Sequence, residues 1–394
     1  MLSWFPYGRD NETGWRLDVV SLLAVIGEAT MANHAQPLTS TWLCLLPRLI
    51  PAPQALLKSK RPTRLPAKQA IVVGVFSGTR VDEFNFYADL IHKIGTLRPF
   101  QFQECTITRK HTPDVENDAA RTSKLVFMRF LAPLNVITIC SCLATMLLIV
   151  WSCLVQDGVA AISLALLSLT SSLVGVALWW EPQLSRRQSK GEVVPGDVVI
   201  RTREGAFIVV HCSDEIAREL YTGTEEATYH LGQKRWKALV GVATVTLMVA
   251  VVLLGNSTWA MQAAIGGTYL VLNGAYWVAA LLPQTWTWDI SHYEVTDAPN
   301  QNCKTAHLKG DDGVAPSFTR TLWYAIQATG RVRWVFLSNA APSTESWEEW
   351  TRLAYEHRMD PNWDAIGEKD RLMADAAKKL RDEEHFDLLS RKFE

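Results

Sequence analysis

The chain has 394 residues, 48% apolar and 20% charged, with a net charge of −1. That length could hold two or three ordinary domains, and a mean hydropathy of +0.03 fits neither a purely soluble nor a wholly embedded protein, so two populations of segments are expected. With no global basic field, nucleic acid is not an expected partner. The seven cysteines (Cys44, Cys105, Cys140, Cys142, Cys153, Cys212 and Cys303) form no CxxC pair suited to zinc or redox work.

At the amino terminus, Arg9, Asp10, Glu12, Arg16 and Asp18 interrupt the apolar core that a cleavable signal needs, so the later helices are expected to direct insertion themselves. The run Val19 to Gly27 stops at Glu28, and Thr41 to Leu57 is broken by Pro47, Arg48, Pro51 and Pro53. Neither reads as a span. Interfacial or soluble helices are expected, with a re-entrant pair as the alternative. Ala70 to Phe76 predicts a buried strand entering the loop Ser77-Gly78-Thr79, which lacks the lysine and glycine spacing of a phosphate-binding loop.

Leu131 to Val155 and Val159 to Trp180 carry no charge and are separated only by Gln156, Asp157 and Gly158. Ala238 to Leu254 and Trp259 to Leu282 repeat the pattern across Gly255 to Thr258. About 20 apolar residues at 1.5 Å each cover a hydrocarbon layer of roughly 30 Å. The fold class expected is therefore mainly α: a polytopic membrane protein with four transmembrane helices in two hairpins, plus small cytosolic α+β elements. The cations Arg121, Lys124 and Arg129, then Arg186, Arg187 and Lys190, then Lys234, Arg235 and Lys237 fall on one side, while Asp157 is the only charge in the opposite turns. This bias predicts both termini in the cytosol. Trp179, Trp180, Trp236, Trp259, Trp286 and Trp288 near the span ends agree with it. Asn256 opens a glycosylation sequon in a turn too short for modification, and Asn11 opens a second one on the expected cytosolic side.

Between the hairpins, Asp197 to Thr202 and Ala206 to Cys212 predict a β-hairpin entered by the Pro195-Gly196 turn. Ser213 then caps a short helix through about Tyr221, with Asp214 and Glu215 in its first turn. Val194-Pro195-Gly196-Asp197-Val198-Val199 resembles the start of the actuator domain of P-type ATPases, and Thr222-Gly223-Thr224-Glu225 is similar to their TGE loop. No Asp-Lys-Thr-Gly sequence follows and there is no room for a nucleotide domain, so a generic turn explains the match better. His211 beside Cys212 could pair a base with a thiol, but neighbouring strand residues face opposite ways, which favours packing or surface roles. The histidines show no metal-ligand spacing, and no cofactor is implied.

After the fourth span, Asn300 to Pro316 reads as a linker. Phe318 to Ala328 and Trp347 to His357 are expected helices, the second opened by a capping box of Ser346 and Glu349. Trp323, Trp334, Trp347, Trp350 and Trp363 suggest core packing or a recognition face. Asp364 to Glu394 predicts a solvated terminal helix. The segments are thus 1–130 cytosolic with candidate interfacial helices, 131–180 and 238–283 transmembrane, 181–237 a cytosolic insert, 284–316 a linker and 317–394 a cytosolic helical tail.

Within the spans Asn135, Gln262, Thr268 and Asn273 are the strongest polar groups, and Gly266, Gly267 and Gly274 lighten the fourth helix. Helix packing is the first reading and a substrate path the second. Pro-Gly-Asp-Val-Val-Ile-Arg-Thr-Arg-Glu-Gly-Ala-Phe-Ile-Val-Val-His from Pro195, and Thr319 to Ile326, together with the span pattern, resemble uncharacterised multi-spanning proteins of filamentous fungi. That resemblance implies no catalytic residues; it admits an accessory factor or membrane-bound enzyme of secondary metabolism. The leading expectation is a non-catalytic scaffold in the lipid bilayer, with protein partners bound through the insert and tail. A transporter or channel, formed by one copy or an oligomer, is the alternative.

Overall fold

A computed structural model describes residues 28–58, 60–110, 126–184, 194–223, 226–297, 308, 315–360 and 363–390, with side chains to 383. The expectations for Val19 to Gly27, for Asn11, for the cations at 121, 124, 186, 187 and 190, and for most of Asn300 to Pro316 fall outside these residues.

In chain order the elements begin with α1 (Glu28–Leu38), β1 (Lys68–Gly74), β2 (Arg80–Phe84), α2 (Phe86–His92) and β3 (Phe102–Arg109). Next come β4 (Phe127–Met128), α3 (Pro133–Leu154), α4 (Gly158–Leu178), β5 (Trp180–Gln183), β6 (Val198–Arg201), β7 (Phe207–His211) and α5 (Asp214–Ile216). Then follow β8 (Glu226–Tyr229), α6 (Gln233–Leu254), α7 (Trp259–Leu281), β9 (Trp288–Asp289) and β10 (Tyr293–Asp297). The tail holds α8 (Phe318–Thr329), α9 (Arg333–Leu337), α10 (Glu345–Glu356) and α11 (Ala365–Ser390). The fold is mainly α, and α3, α4, α6 and α7 are each long and apolar enough to cross a membrane.

The chain divides into two compact units, the first comprising residues 1–65, 122–183 and 226–290. Here α3, α4, α6 and α7 pack together, and their polarity is inverted relative to a soluble bundle. The buried face of α3 carries Asn135, Thr138, Ser141, Thr145 and Ser152, whereas Leu147 (70% exposed) and Leu154 (78%) point outward. On α7, Val271 is 73% exposed. In water such an arrangement would wet leucines at a cost; in hydrocarbon the same arrangement gives the leucines apolar neighbours and keeps the hydroxyls among protein partners, the stable order. Asp157 joins the two three- or four-residue turns, its carboxylate accepting from the Ala160 amide at the start of α4 and from the Thr258 amide ahead of α7.

The second unit comprises residues 66–121, 184–225 and 291–394. Its centre is a six-stranded sheet in the order β10-β3-β7-β6-β1-β2, antiparallel except for the β3–β7 pair. The expected β6–β7 hairpin is present, paired from Val198–Val210 to Arg201–Phe207, but the insert 181–237 does not fold alone. Its hairpin is the middle of a sheet completed by β1, β2 and β3 from the segment expected to be a separate N-terminal region. The 284–316 linker is corrected likewise, since Tyr293–Asp297 forms the edge strand against β3. Tyr293 and Val295 supply an alternating strand pattern too short to separate from its polar surroundings.

One face of the sheet, through Val73, Phe102, Val199, Phe207 and Val209, packs on α8 to α11. Trp334 and Trp350 are fully buried there and Trp323 nearly so, so these indoles are spent on the core; a recognition surface on the tail would have to be made of other residues. Helix α10 starts at Glu345 rather than after Ser346. Glu349 pairs with Arg352, so the expected capping box does not form. The helix expected after Ser213 is capped by that hydroxyl but widens into a π-helical turn over Ala217–Thr222.

Candidate functional site

Asn135 anchors the start of α3, donating to the Arg129 and Phe130 carbonyls and accepting from the Thr41 hydroxyl. Gln262 closes the turn before α7 by donating to the Ser257 carbonyl at 2.9 Å and the Gly255 carbonyl at 3.2 Å. Thr268 bonds back to Ala264 within its own helix. Asn256 does the same to Val252 and is exposed. Asn273 is half-buried on α7, and its Oδ1 has no partner among the described residues. These five side chains do not converge. At Gly267 and Gly274 of α7 an added Cβ would meet nothing within 4 Å, so these two mark no close approach, whereas Gly266 is buried.

What occupies the interior of the bundle is the segment that sequence patterning excluded as a span. Residues 41–57 enter beside α3 and α4, pass through two short 3-10 turns (Trp42–Leu45 and Pro53–Leu56), and lie between the helices in the middle. The contacts deepen in register. Thr41 meets Asn135, and the Cys44 thiol donates to the Gly175 carbonyl. The Arg48 amide then donates to the Ser171 hydroxyl, and the Leu49 amide to the Thr145 hydroxyl at 2.9 Å. Ser141 completes the set by donating to the Leu49 carbonyl. Ser141 and Thr145 stand about 12 and 18 Å along α3 from Pro133, so Leu49 sits near mid-helix. It is buried among Leu148, Leu164, Met261, Ile265 and Leu272.

The local chemistry explains the conformation. Pro47, Pro51 and Pro53 remove amide donors and forbid a helix; the Arg48 and Leu49 amides and the Leu49 carbonyl are satisfied by hydroxyls from α3 and α4, and the Cys44, Leu46, Ala55 and Leu57 amides by carbonyls of the segment's own turns. Ala52 takes φ +45 at the turn and is wholly buried. Non-helical backbone is tolerated at such depth only where protein groups satisfy it. At Gly175 an added Cβ would lie 2.0 Å from the Cys44 carbonyl oxygen, so glycine is required there by the intercalated chain and not by a neighbouring helix.

Arg48 is the residue that sequence reasoning missed as a site. It is 2% exposed, with its Nη1 donating to the Leu43 carbonyl at 2.9 Å and its Nε unpartnered among the described residues. The Tyr276 hydroxyl faces it, and the Thr138 hydroxyl in turn faces that of Tyr276. Both stand five residues, about 8 Å, from the ends of α7 and α3. His34 of α1 donates from Nε2 to the Tyr276 carbonyl, 3.0 Å away. A buried guanidinium with no carboxylate partner among the described residues is costly and marks a functional candidate. The available signal was an arginine inside an apolar run.

In the second unit His211 lies between Asp197 at 3.0 Å and Glu104 at 3.1 Å. Hydrogen bonds to the two carboxylates raise its pKa to about 9. Cys212 faces away, donating to the Gly196 carbonyl, and burial pushes its thiol up beyond the range of a reactive nucleophile. Such an imidazolium, charged and doubly held, ties β3 and β7 to the turn that enters β6 instead of exchanging a proton with the neighbouring thiol. No group of three or more His, Cys, Asp or Glu among the described residues could hold a metal.

The fold and its interior define a class: a mainly α chain with four helices that can cross a membrane, compatible with an integral membrane protein. Beyond that class no family model, curated protein or solved structure matches the chain.

Proposed function

We propose that this chain is a multi-pass membrane protein whose helices cross as the pairs α3–α4 and α6–α7, with both termini in the cytosol, and that it serves as a non-catalytic platform for other proteins. The observation that carries the reading is the inverted polarity of the first unit: hydroxyls inside, leucines and valines outside. Arg129, Lys234, Arg235 and Lys237 at one set of helix ends, against Asp157 at the other, support the orientation. Every segment of the sheet-centred unit joins the chain on that cationic side, and the middle of the bundle is filled by Leu49 and its neighbours. A platform that displays a folded domain needs nothing more from its helices. Alkaline extraction of membranes tests the first part, since a spanning chain stays in the pellet. Purification in mild detergent with identification of stoichiometric co-eluting proteins tests the second; a chain that elutes alone after in-cell cross-linking contradicts the platform.

Arg48 favours a second reading, a carrier or channel for anions, because buried cations on re-entrant segments are used to select charge. Anion flux into vesicles containing the purified protein, lost in Arg48→Gln and in Asn273→Leu, would support it over the platform.

A further inference from the structure

After leaving the bundle, the chain runs back along the start of α6. Thr63 accepts from the Ala227 amide at 2.9 Å, Pro62 accepts from the Tyr229 hydroxyl at 2.7 Å, and Arg61 donates to the Leu231 carbonyl at 2.6 Å. Arg61 also donates to the Ala177 carbonyl in the last turn of α4, and its guanidinium is wedged between Tyr229 at 4.5 Å and Trp236 at 4.8 Å. This fixed arginine brings two stretches some 170 residues apart into one surface. Lys58, Lys60 and Arg64 of the first stretch are exposed, as are Lys234, Arg235 and Lys237 of the second. With Arg61 that makes seven cations, and among the described residues the strands packed alongside bring two carboxylates, Glu181 and Glu226. Glu181 is already within 3.5 Å of His230. Lys58, Lys60, Lys234, Arg235 and Lys237 make no ion pair among the described residues.

We infer that this surface docks the phosphate headgroups of anionic lipids in the cytosolic leaflet. The inference rests on the membrane reading above. Its position selects the occupant: Lys234, Arg235 and Lys237 belong to the first turns of a spanning helix, and Trp236 among them is held in place by Arg61. Clusters of four to eight cations immediately cytosolic of a span sit within the attraction of an anionic leaflet. The bias of one short run alone would orient a helix; two runs clamped together, with Lys58, Lys60, Lys234, Arg235 and Lys237 in no ion pair among the described residues, form a surface for several headgroups. Arg61 itself is spent on carbonyls and rings, so it organises the surface and the exposed lysines carry the contact.

The test uses the full chain in nanodiscs of phosphatidylcholine alone or with one-fifth phosphatidylserine or phosphatidylinositol phosphate, followed by native mass spectrometry of the lipids retained on release. The wild type is expected to retain anionic lipid in preference to phosphatidylcholine by about tenfold or more. The combined variant Lys58→Gln, Lys60→Gln, Lys234→Gln and Lys237→Gln should lose that preference, while Lys378→Gln on the exposed face of α11 keeps it. Equal retention of both lipid classes by the wild type, or an unchanged preference in the fourfold variant, overturns the inference. So does competition by free inositol trisphosphate as strong as that by the lipid, which would show a site for soluble phosphates. Alkaline extraction separates the two levels of failure: a chain that remains in the membrane without lipid preference refutes only the docking surface, and one that is released refutes the membrane reading.

Discussion

Gly175→Ala places the sharpest demand on the intercalated segment. The new methyl carbon would stand 2.0 Å from the Cys44 carbonyl oxygen and 2.7 Å from its carbon, so the obstacle is backbone and cannot rotate aside. Relief requires a shift of more than about 1 Å, since van der Waals contact begins near 3.4 Å. That shift would stretch the ties just below it, from Arg48 to Ser171 and from Leu49 to Thr145 and Ser141. Overpacking of this kind costs about 1–3 kcal/mol, and the rigid partner puts Gly175→Ala near the upper end. For a unit of this size the melting temperature should fall by roughly 6 to 12 °C in detergent. Gly274→Ala is the internal standard, because nothing lies within 4 Å of its added Cβ and the loss of glycine from a helix interior gains about 0.5–1 kcal/mol. The two alanines should therefore move the melting temperature in opposite directions. If Gly175→Ala melts no lower than Gly274→Ala, residues 41–57 do not thread between α3 and α4 as described.

Thr145→Val keeps the shape of the side chain but leaves the Leu49 amide without its acceptor, a loss of about 1–3 kcal/mol; Thr246→Val, whose hydroxyl only bonds back to Val242, should change the melting temperature little. His211 titrates near 9 when folded against 6.5 when free. Its contribution is therefore complete below pH 6.5 and lost as pH rises through 9, with an upper bound of about 3 kcal/mol reduced by partial solvent screening. Melting curves at pH 6.5 and 9.5 should show the wild type losing more stability than His211→Gln, and a steeper loss in the variant would contradict the ion triad. Trp350→Ala removes a fully buried indole whose Nε1 donates to the Ala365 carbonyl at 2.8 Å. It should cost about 3–5 kcal/mol, read as early loss of the tail's helical signal on heating.

Helices whose stability is written in one local property were legible from sequence. The four apolar runs match α3, α4, α6 and α7 within a few residues, the exception being α6, which starts at Gln233 because Lys234, Arg235 and Lys237 extend the helix beyond its greasy part. The β6–β7 pair was legible for the same reason, since a Gly205 turn with φ +78 joins two β-branched runs. Partners distant in sequence were not legible. Strand β3 finds β7 about a hundred residues away in a parallel pair, and nothing in Phe102–Arg109 names that partner. The intercalated segment is more instructive: Pro47, Arg48, Pro51 and Pro53 forbid a spanning helix, which leaves interfacial or soluble helices and a re-entrant pair as the readings, and nothing local tells them apart. A helix satisfies its own backbone, so it can be recognised alone. A broken segment at the same depth depends on Ser141, Thr145 and Ser171, whose hydroxyls looked like ordinary small residues in apolar runs. The chemistry of the interior was therefore divided between two stretches, each unremarkable without the other, and only their juxtaposition assigns Arg48 and Gly175 a role.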